Sequence, residues 1–399
     1  MPSRYNNRKV PLLTHRLLWC CCFFNFIPGL AMADDLDTFQ LRAGVNKSFD
    51  SNVLRQSSNE ISDQITAEMV GLKFDKSYSL QRVIFDVNYN DYSYQKSDFL
   101  DYHATNYNGT WLWALTPNLH GNLSTSRVET LISFRDLLTP TKNMRTTKTN
   151  TFSFEYSPHH VWSLIGGVSE IDNSNSRQFT AQTGSSTTVY EYGVKYIFAS
   201  GSNLSLMGRQ KDGTFEGREL NPALKFDNGF KEKEYDLTFE KDVNGKSTIN
   251  AKLGYLAREY DNFSERDYSA IVGNVDWLYI VTGKIKVDLN LSRGVNVFET
   301  ANSTYTVTNA IKTGVFYDVT SKIQTGLNLR ASTRDFEGRG EFDTSGRLDK
   351  EKSISAFATW NPLQNAAFTI RTTKSHRNSS IDRFDFDDVL TYVSVDLSI

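Results

Sequence analysis

Residues 284–292 read Lys284-Ile285-Lys286-Val287-Asp288-Leu289-Asn290-Leu291-Ser292. Every second side chain from Ile285 to Leu291 is aliphatic, and every one between them is polar. A strand sends successive side chains to opposite faces, so this stretch is a strand with one apolar and one polar face. A helix would scatter the four aliphatic residues around its circumference.

The same two-residue period recurs from Asp37 to Ile399: at Val83, Phe85, Val87 and Tyr89; at Tyr190, Tyr192, Val194, Tyr196 and Phe198; and at Ile249, Ala251, Leu253 and Tyr255. It continues at Tyr305 and Val307, at Ile311, Val315, Tyr317 and Val319, and at Ile323, Leu327 and Leu329. Val393, Val395, Leu397 and Ile399 form a final alternating strand, ending in Ile where an aromatic is usual. A soluble sandwich could also bury one apolar face. These segments often run to about ten residues or more, however, against the five or six typical of soluble strands.

Connections alternate between short and long. The short ones are Ser77-Tyr78-Ser79, Thr116-Pro117-Asn118, Ser157-Pro158-His159, Ser200-Gly201-Ser202, Asn244-Gly245, Thr282-Gly283, Val319-Thr320-Ser321 and Asn361-Pro362. Asn-Gly supplies the positive φ angles of a two-residue hairpin. Longer polar loops surround residues 49–62, 90–100, 135–146, 171–187, 212–231, 259–267, 297–303, 334–352 and 375–385. Eight short turns and nine loops imply an all-β, antiparallel, up-and-down transmembrane β-barrel of about 18 strands, with 16 as the alternative count. An even count puts both termini on one side, the periplasmic side for a bacterial barrel.

The N-terminus fixes the compartment. Arg4, Arg8, Lys9 and Arg16 precede an almost wholly apolar run, Leu17 to Ile27, followed by Pro28-Gly29 and Ala31-Met32-Ala33. This is the layout of a cleaved signal peptide over residues 1–33, with residues 34–399 as one barrel domain. The apolar run falls short of the ~20 residues that span a bilayer. Cys20, Cys21 and Cys22 all lie in it, and Trp19 stands where a lipoprotein signal needs a small residue. The mature chain therefore has no cysteine for disulfides, metal or thiol chemistry. Loss of four cations and no anion takes the formal charge from −2 to −6. With no long basic block, nucleic acid is not an expected partner.

A mean hydropathy of −0.45 does not exclude the membrane, because lipid-facing and lumen-facing residues of a barrel average out. Apart from Trp19, the tryptophans are Trp111, Trp113, Trp162, Trp277 and Trp360, each within several residues of a short turn. A periplasmic aromatic girdle places indoles there.

Catalytic and metal signals are sparse. The adjacent His159-His160 follows Pro158 in a turn, and neighbours on a strand point to opposite faces. There is no G-x-S-x-G elbow, and Gly338-Arg339-Gly340 lacks the further glycine and helix of a phosphate cradle. The carboxylates Asp385, Asp387 and Asp388, or Glu337 and Glu341 beside Arg339, read as solvated loop charge before they read as cation sites. No catalytic residue, metal ligand or cofactor is assigned, and the chain is not expected to be an enzyme. The polar faces are more informative. Lys252, Lys284, Lys286, Asp288, Asn290, Lys312, Lys322, Gln324, Asn328, Arg330 and Arg371, with Asp236 and Glu240, are the candidate lumen lining. A barrel of this size encloses water, and rings of charge decide what passes.

Several spaced elements occur in order: Asp50-x-Asn52-x-x-Arg55; Gln81-Arg82; Leu100-Asp101-Tyr102 with Asn106; Trp111-x-Trp113-x-Leu115-Thr116-Pro117 and Gly121; and Ser133-Phe134-x-Asp136 with Arg145-Thr146. Over residues 37–170 this resembles the EpsL-type outer-membrane proteins of exopolysaccharide biosynthesis operons, a group of β-barrel porins. The resemblance implies a role in export of an extracellular polysaccharide and brings no catalytic residues with it. The leading expectation is therefore a conduit for a secreted polysaccharide, working with periplasmic export components amid outer-membrane lipids and lipopolysaccharide. The alternative is a porin for small solutes or oligosaccharides, and a barrel enzyme or adhesin has less support.

Overall fold

The computed structural model describes residues 38–136, 140–179, 183–243, 245–338 and 346–399. The segment read as a signal peptide lies outside them, as do Asn244 of the Asn244-Gly245 turn, Arg339, Gly340 and Glu341. Eighteen strands follow one another: β1 (Phe39–Asp50), β2 (Asp63–Tyr78), β3 (Gln81–Tyr94), β4 (Tyr102–Thr116), β5 (Leu119–Leu131), β6 (Met144–His159), β7 (Trp162–Asn175), β8 (Ser185–Ile197) and β9 (Asn203–Phe215). The second half comprises β10 (Gly229–Val243), β11 (Ser247–Tyr260), β12 (Tyr268–Ile280), β13 (Ile285–Val297), β14 (Tyr305–Asp318), β15 (Ile323–Glu337), β16 (Leu348–Leu363), β17 (Ala366–Ser379) and β18 (Phe386–Ser398). Each strand pairs antiparallel with its sequence neighbours, and β1 closes the ring on β18 from Arg42↔Ser398 to Asp50↔Leu390. Closure leaves neither terminal strand as a free edge, as a bilayer demands.

Leu41, Val70, Leu206, Leu253 and Ile271 are each more than half exposed, although they are large and apolar. They belong to one continuous face, the outward belt. Leu289 and Leu291 share it through their partners Trp277 and Val275, whereas Asn290 pairs with Asp276 on the other face.

The strands run further toward the long-loop end than the apolar alternation does. β7 continues to Asn175, β15 to Glu337, and β6 and β16 begin at Met144 and Leu348, all inside stretches read as loop. Beyond the lipid both faces are polar, so the sequence signal vanishes while the hydrogen-bond ladder persists. At the other end the ladder shifts register between Ala114 and Thr116, Tyr156 and His159, and Trp360 and Leu363. Pro117, Pro158 and Pro362 adjoin these irregularities, where a residue without N–H is tolerated.

One seam breaks the regular wall. Pairing between β12 and β13 runs from Ile280↔Lys286 to Gly273↔Arg293 and stops. Above it, Tyr268 and Ala270 still pair with β11, while Val295 and Val297 pair with Val307 and Tyr305 of β14. By alternation Tyr305 and Val307 belong to the outward face, where the sequence puts them. They are nevertheless only 7% and 3% exposed, packed with Phe230, Leu256, Tyr268 and Val272 of the inward face. The Tyr268 and Tyr305 rings stack at 4.2 Å. The long-loop ends of β13 and β14 thus step inside those of β10–β12, and the wall overlaps itself.

Candidate functional site

Arg42 with Asp86, Arg82 with Asp75 and Lys195 with Glu155 pair on the inward face, and two further stretches of wall carry denser charge. On β8–β11 the acids Glu191, Glu232, Glu234 and Asp236 stand among Arg209, Lys211, Lys252 and Arg258. Arg209 Nε lies 2.5 Å from Glu191, and a second guanidinium nitrogen of Arg209 bonds Asp236. Lys211 Nζ lies 2.6 Å from Glu232, Lys252 Nζ 2.8 Å from Glu234 and 3.0 Å from Asp236, and Arg258 2.6 Å from Glu232. Four anions meet four cations, so this wall is internally neutralised. Asp236, 1% exposed, has both Arg209 and Lys252 within salt-bridge distance.

The wall from β13 to β17 differs. Lys286 lies 3.5 Å from Asp318, which also accepts a 2.7 Å bond from Gln324. Asn290 donates to Asp276 at 2.6 Å, and Asp288 holds a position between Leu278 and Gly314. Lys312 and Arg330 are direct cross-strand partners, and neither is within salt-bridge distance of a carboxylate among the described residues. Nor is Arg371, whose guanidinium sits 4.8 Å over the Phe357 ring. The Nε atoms of Arg330 and Arg371 are buried without a hydrogen-bond partner. Like charges directly opposite one another cost stability.

Toward the short-turn end this wall borders a cavity of about 1070 Å³, lined by Gln324, Asn328, Phe357, Arg371, Tyr392 and Asp396 among others. Lys284 and Lys322, read as lumen lining, line this cavity from the turns at its rim. Lys284 Nζ donates to the carbonyl of Val319 at 3.2 Å, and Lys322 Nζ to that of Pro362 at 2.6 Å. Both precede the first paired residue of their strands, where the pleat no longer fixes direction and free turn carbonyls compete for a flexible cation.

At the long-loop end two loop clusters narrow the mouth. The β5–β6 loop reaches across the bore to β15–β17. Phe134, 5% exposed, packs with Val53, Leu54 and Leu100 from the loops after β1 and β3. Asp136 accepts from Arg334 at 2.7 Å and Arg347 at 2.9 Å, with Arg377 3.7 Å away. Arg135 pairs with Glu351, and its carbonyl accepts from Arg377. Burial pushes the Asp136 carboxyl upward, but Arg334, Arg347 and Arg377 outweigh it and hold the group below the usual carboxylate range. Burial beside Arg377 pushes the Arg135 guanidinium down to about 10.

The second cluster centres on Arg266, fully buried, which donates to the carbonyls of Leu224 at 2.8 Å, Thr300 at 3.0 Å and Ser303 at 3.1 Å. It thereby staples together the loops after β9, β11 and β13. Asp227 supports them by accepting from the amides of Asn228 and Phe263 and from Asn262. Sequence reasoning gave none of these loop residues a role. The one signal was Ser133-Phe134-x-Asp136, quoted only as part of a resemblance.

Trp111, Trp113, Trp162, Trp277 and Trp360 all lie on the outward face near the short-turn end. Trp111 pairs with Val83 and Leu123, Trp162 with Tyr196, Trp277 with Leu289 and Trp360 with Phe368. Trp111 Nε1 donates to Gln81 at 2.9 Å and Trp277 Nε1 to Ser247 at 2.7 Å. Trp113 requires Gly121 opposite it, since a Cβ there would fall 2.6 Å from its ring. The His159 and His160 rings lie 4.0 Å apart, tilted by 39°, at the end of β6. Asp385, Asp387 and Asp388 do not converge: Asp385 accepts from the Ser379 amide, Asp387 meets His376, and Asp388 meets Arg55.

The family model described as "Putative beta-barrel porin 2" matches residues 239–399, from within β10 to the C-terminus. No curated protein matches the chain. Among solved structures, Pseudomonas aeruginosa OccK1 (OpdK) superposes with a TM-score of 0.51 at 12% identity, covering 90% of this chain and 99% of that one. OccK2 (OpdF) of the same organism gives 0.52 at 12%, covering 90% and 97%, and its OpdQ gives 0.51 at 10%, covering 90% and 98%. At such identities the likeness is one of fold. With the outward apolar belt, it makes this chain a closed 18-strand antiparallel barrel that shares its fold with solved outer-membrane porins.

Proposed function

We propose that the barrel is a diffusion channel for small anionic solutes, acidic mono- and oligosaccharides among them. One observation carries this reading: Lys312 and Arg330 face each other on the inward wall, with Arg371 nearby, and none of the three lies within salt-bridge distance of a carboxylate among the described residues. Uncompensated cations cost stability and repay it when an anion passes. The adjoining cavity, about 1070 Å³, lies just above the roughly 300–1,000 Å³ of small-molecule sites and combines the Arg371 guanidinium, amides and the rings of Phe357 and Tyr392 with the carboxylates of Asp318 and Asp396. Solved structures of this fold hold glucuronate in OccK2 and vanillate in OpdK, both carboxylates. In this reading the short turns, both termini and the tryptophan girdle face the periplasm.

Export of a polysaccharide, favoured by the resemblance over residues 37–170, is the second reading. Against it stands the β5–β6 loop, which Asp136 ties across the bore. Two measurements separate them. Proteoliposomes should take up glucuronate faster than glucose, and a deletion strain should keep its surface polysaccharide. Equal rates for the two sugars would sink the anion reading. Loss of surface polymer with periplasmic accumulation would restore the export reading.

A further inference from the structure

The seam leaves a mark on the outside of the barrel. Because β13 and β14 step inward beyond Gly273↔Arg293, the outer surface there is concave, a groove of about 670 Å³. Its floor is apolar, with Leu253, Ile271, Leu291 and Ile311 each more than 40% exposed. Its rim toward the long loops carries Arg293, Lys350 and Lys352, all exposed and outward-facing. None of the three is within salt-bridge distance of a carboxylate among the described residues. Arg293 is held in place by bonds to the carbonyl of Ile271 at 3.2 Å and to Asn309 at 2.9 Å. The acids on this outer surface are engaged or to one side: Asp387 with His376 at 3.0 Å, Glu337 with the Tyr305 hydroxyl at 2.9 Å, and Asp335 opposite Leu348. Lys374, one strand further along β17, adds a fourth outward cation.

We propose that this groove binds a phosphorylated, multiply acylated lipid of the outer leaflet, of the lipid A type, with acyl chain on Leu253, Ile271, Leu291 and Ile311 and phosphate on Arg293, Lys350 and Lys352. The charge pattern selects the occupant. Apolar residues alone would accept any acyl chain, but uncompensated cations at the edge of the belt sit at headgroup level, where only a lipid supplies both chain and anion. A soluble anion has no access to the floor, and a protein segment would need its own backbone satisfied there. The cations would then cost nothing at the lipid boundary, because the lipid neutralises them.

The leaflet assignment rests on the long loops facing outside. The test uses the purified barrel in mild detergent with bisphosphorylated lipid A as probe, read by native mass spectrometry. At roughly a factor of five for each cation near a charged surface, Arg293→Gln/Lys350→Gln/Lys352→Gln should weaken binding on the order of a hundredfold. Lys350→Gln/Lys352→Gln, which leaves the seam bond of Arg293 intact, should weaken it on the order of thirtyfold. Dephosphorylated lipid A should bind the wild-type barrel weakly, and inorganic phosphate should not compete. Unchanged affinity in the double variant, or equal affinity for dephosphorylated lipid A, would overturn the proposal. Orientation is read separately, by labelling Asn302→Cys but not Ser321→Cys from outside intact cells. The opposite labelling would move the site to the inner leaflet without touching the detergent result.

Discussion

Arg293 of β13 donates its Nε to the carbonyl oxygen of Ile271 on β12 across 3.2 Å, at the rung where the backbone ladder between these strands stops. A side chain thus supplies the donor that the departing strand no longer offers. Removing it leaves a carbonyl unpaired beside lipid, at a cost of about 1–3 kcal/mol. Arg293→Ala should lower the unfolding midpoint and speed amide exchange over residues 268–272 while leaving residues 275–280 unaffected. Uniform exchange along β12 in both proteins would show that the seam needs no such staple.

Leu289 and Asn290 are adjacent but occupy different solvents. Leu289 pairs with Trp277 and Thr313 on the belt, and Asn290 bonds Asp276 inside. Leu289→Arg should impair assembly by roughly 1–3 kcal/mol, between the small penalty for a cation at the interface, near its partner Trp277, and the larger one at the midplane. Asn290→Arg should fold, since its charge lies in the wet lumen beside Asp276. Heat-modifiable migration on gels reports the folded fraction, and the reverse order would invert every face assigned above.

The belt, strand number and alternation of turns and loops were legible in the sequence because each side chain there meets one solvent or the other. What was not legible depends on residues brought together over long separations. Tyr305 and Val307 carry an outward pattern yet are buried, because the wall overlaps itself and covers them. Asp136 and Arg377 are 241 positions apart in the chain, and no local period reports such a meeting. Lys284 and Lys322 lie one residue before their strands begin, in turns where backbone carbonyls capture the ammonium groups, and the alternation does not report that capture.

Asp136 anchors the β5–β6 loop to β15–β17, so Asp136→Asn should free the loop and raise single-channel conductance. Losing one partner from a well-paired, mostly buried ionic cluster costs about 3–5 kcal/mol, more than a loop is expected to withstand. The pH dependence follows from the depressed carboxyl. Docking is fully stabilised above the free-carboxylate value of ~3.9 and is lost as pH falls through the lower docked value. Wild-type conductance should therefore be flat from neutral pH to about 4 and rise below it. In Asp136→Asn it should be high already at neutral pH. A wild-type rise near neutrality, or no change in the variant, would remove Asp136 from the constriction.

Arg266 has three carbonyl partners on two other loops and is fully buried. Arg266→Met keeps much of its volume but strands those carbonyls, at about 1–3 kcal/mol each where water cannot reach. The barrel should still assemble, since its ladders are untouched, while the loops after β9, β11 and β13 become open to protease in intact outer membranes. Unaltered proteolysis would show that Asp227 and its amide donors suffice to hold them.

The final prediction sets wall against rim. Lys312 and Arg330 are inward, mutually opposed and outside salt-bridge distance of any carboxylate among the described residues, whereas Lys284 and Lys322 are exposed and already bonded to turn carbonyls. Two unit charges about 4 Å apart in water interact by ~1 kcal/mol, close to a fivefold Boltzmann factor for each charge. Lys312→Gln/Arg330→Gln should therefore lower the anion-to-cation permeability ratio by on the order of twentyfold in bilayer recordings, with a further loss on adding Arg371→Gln. Lys284→Gln/Lys322→Gln should change it by about fivefold at most, because ions passing a wide rim stay further away and are screened by salt. The wall variant should also gain stability, since it relieves the cross-strand repulsion that the channel tolerates. A larger effect at the rim than at the wall, or a wall variant that is both less stable and equally selective, would mean that Lys312 and Arg330 are held for structure and that another part of the lumen sorts the solutes.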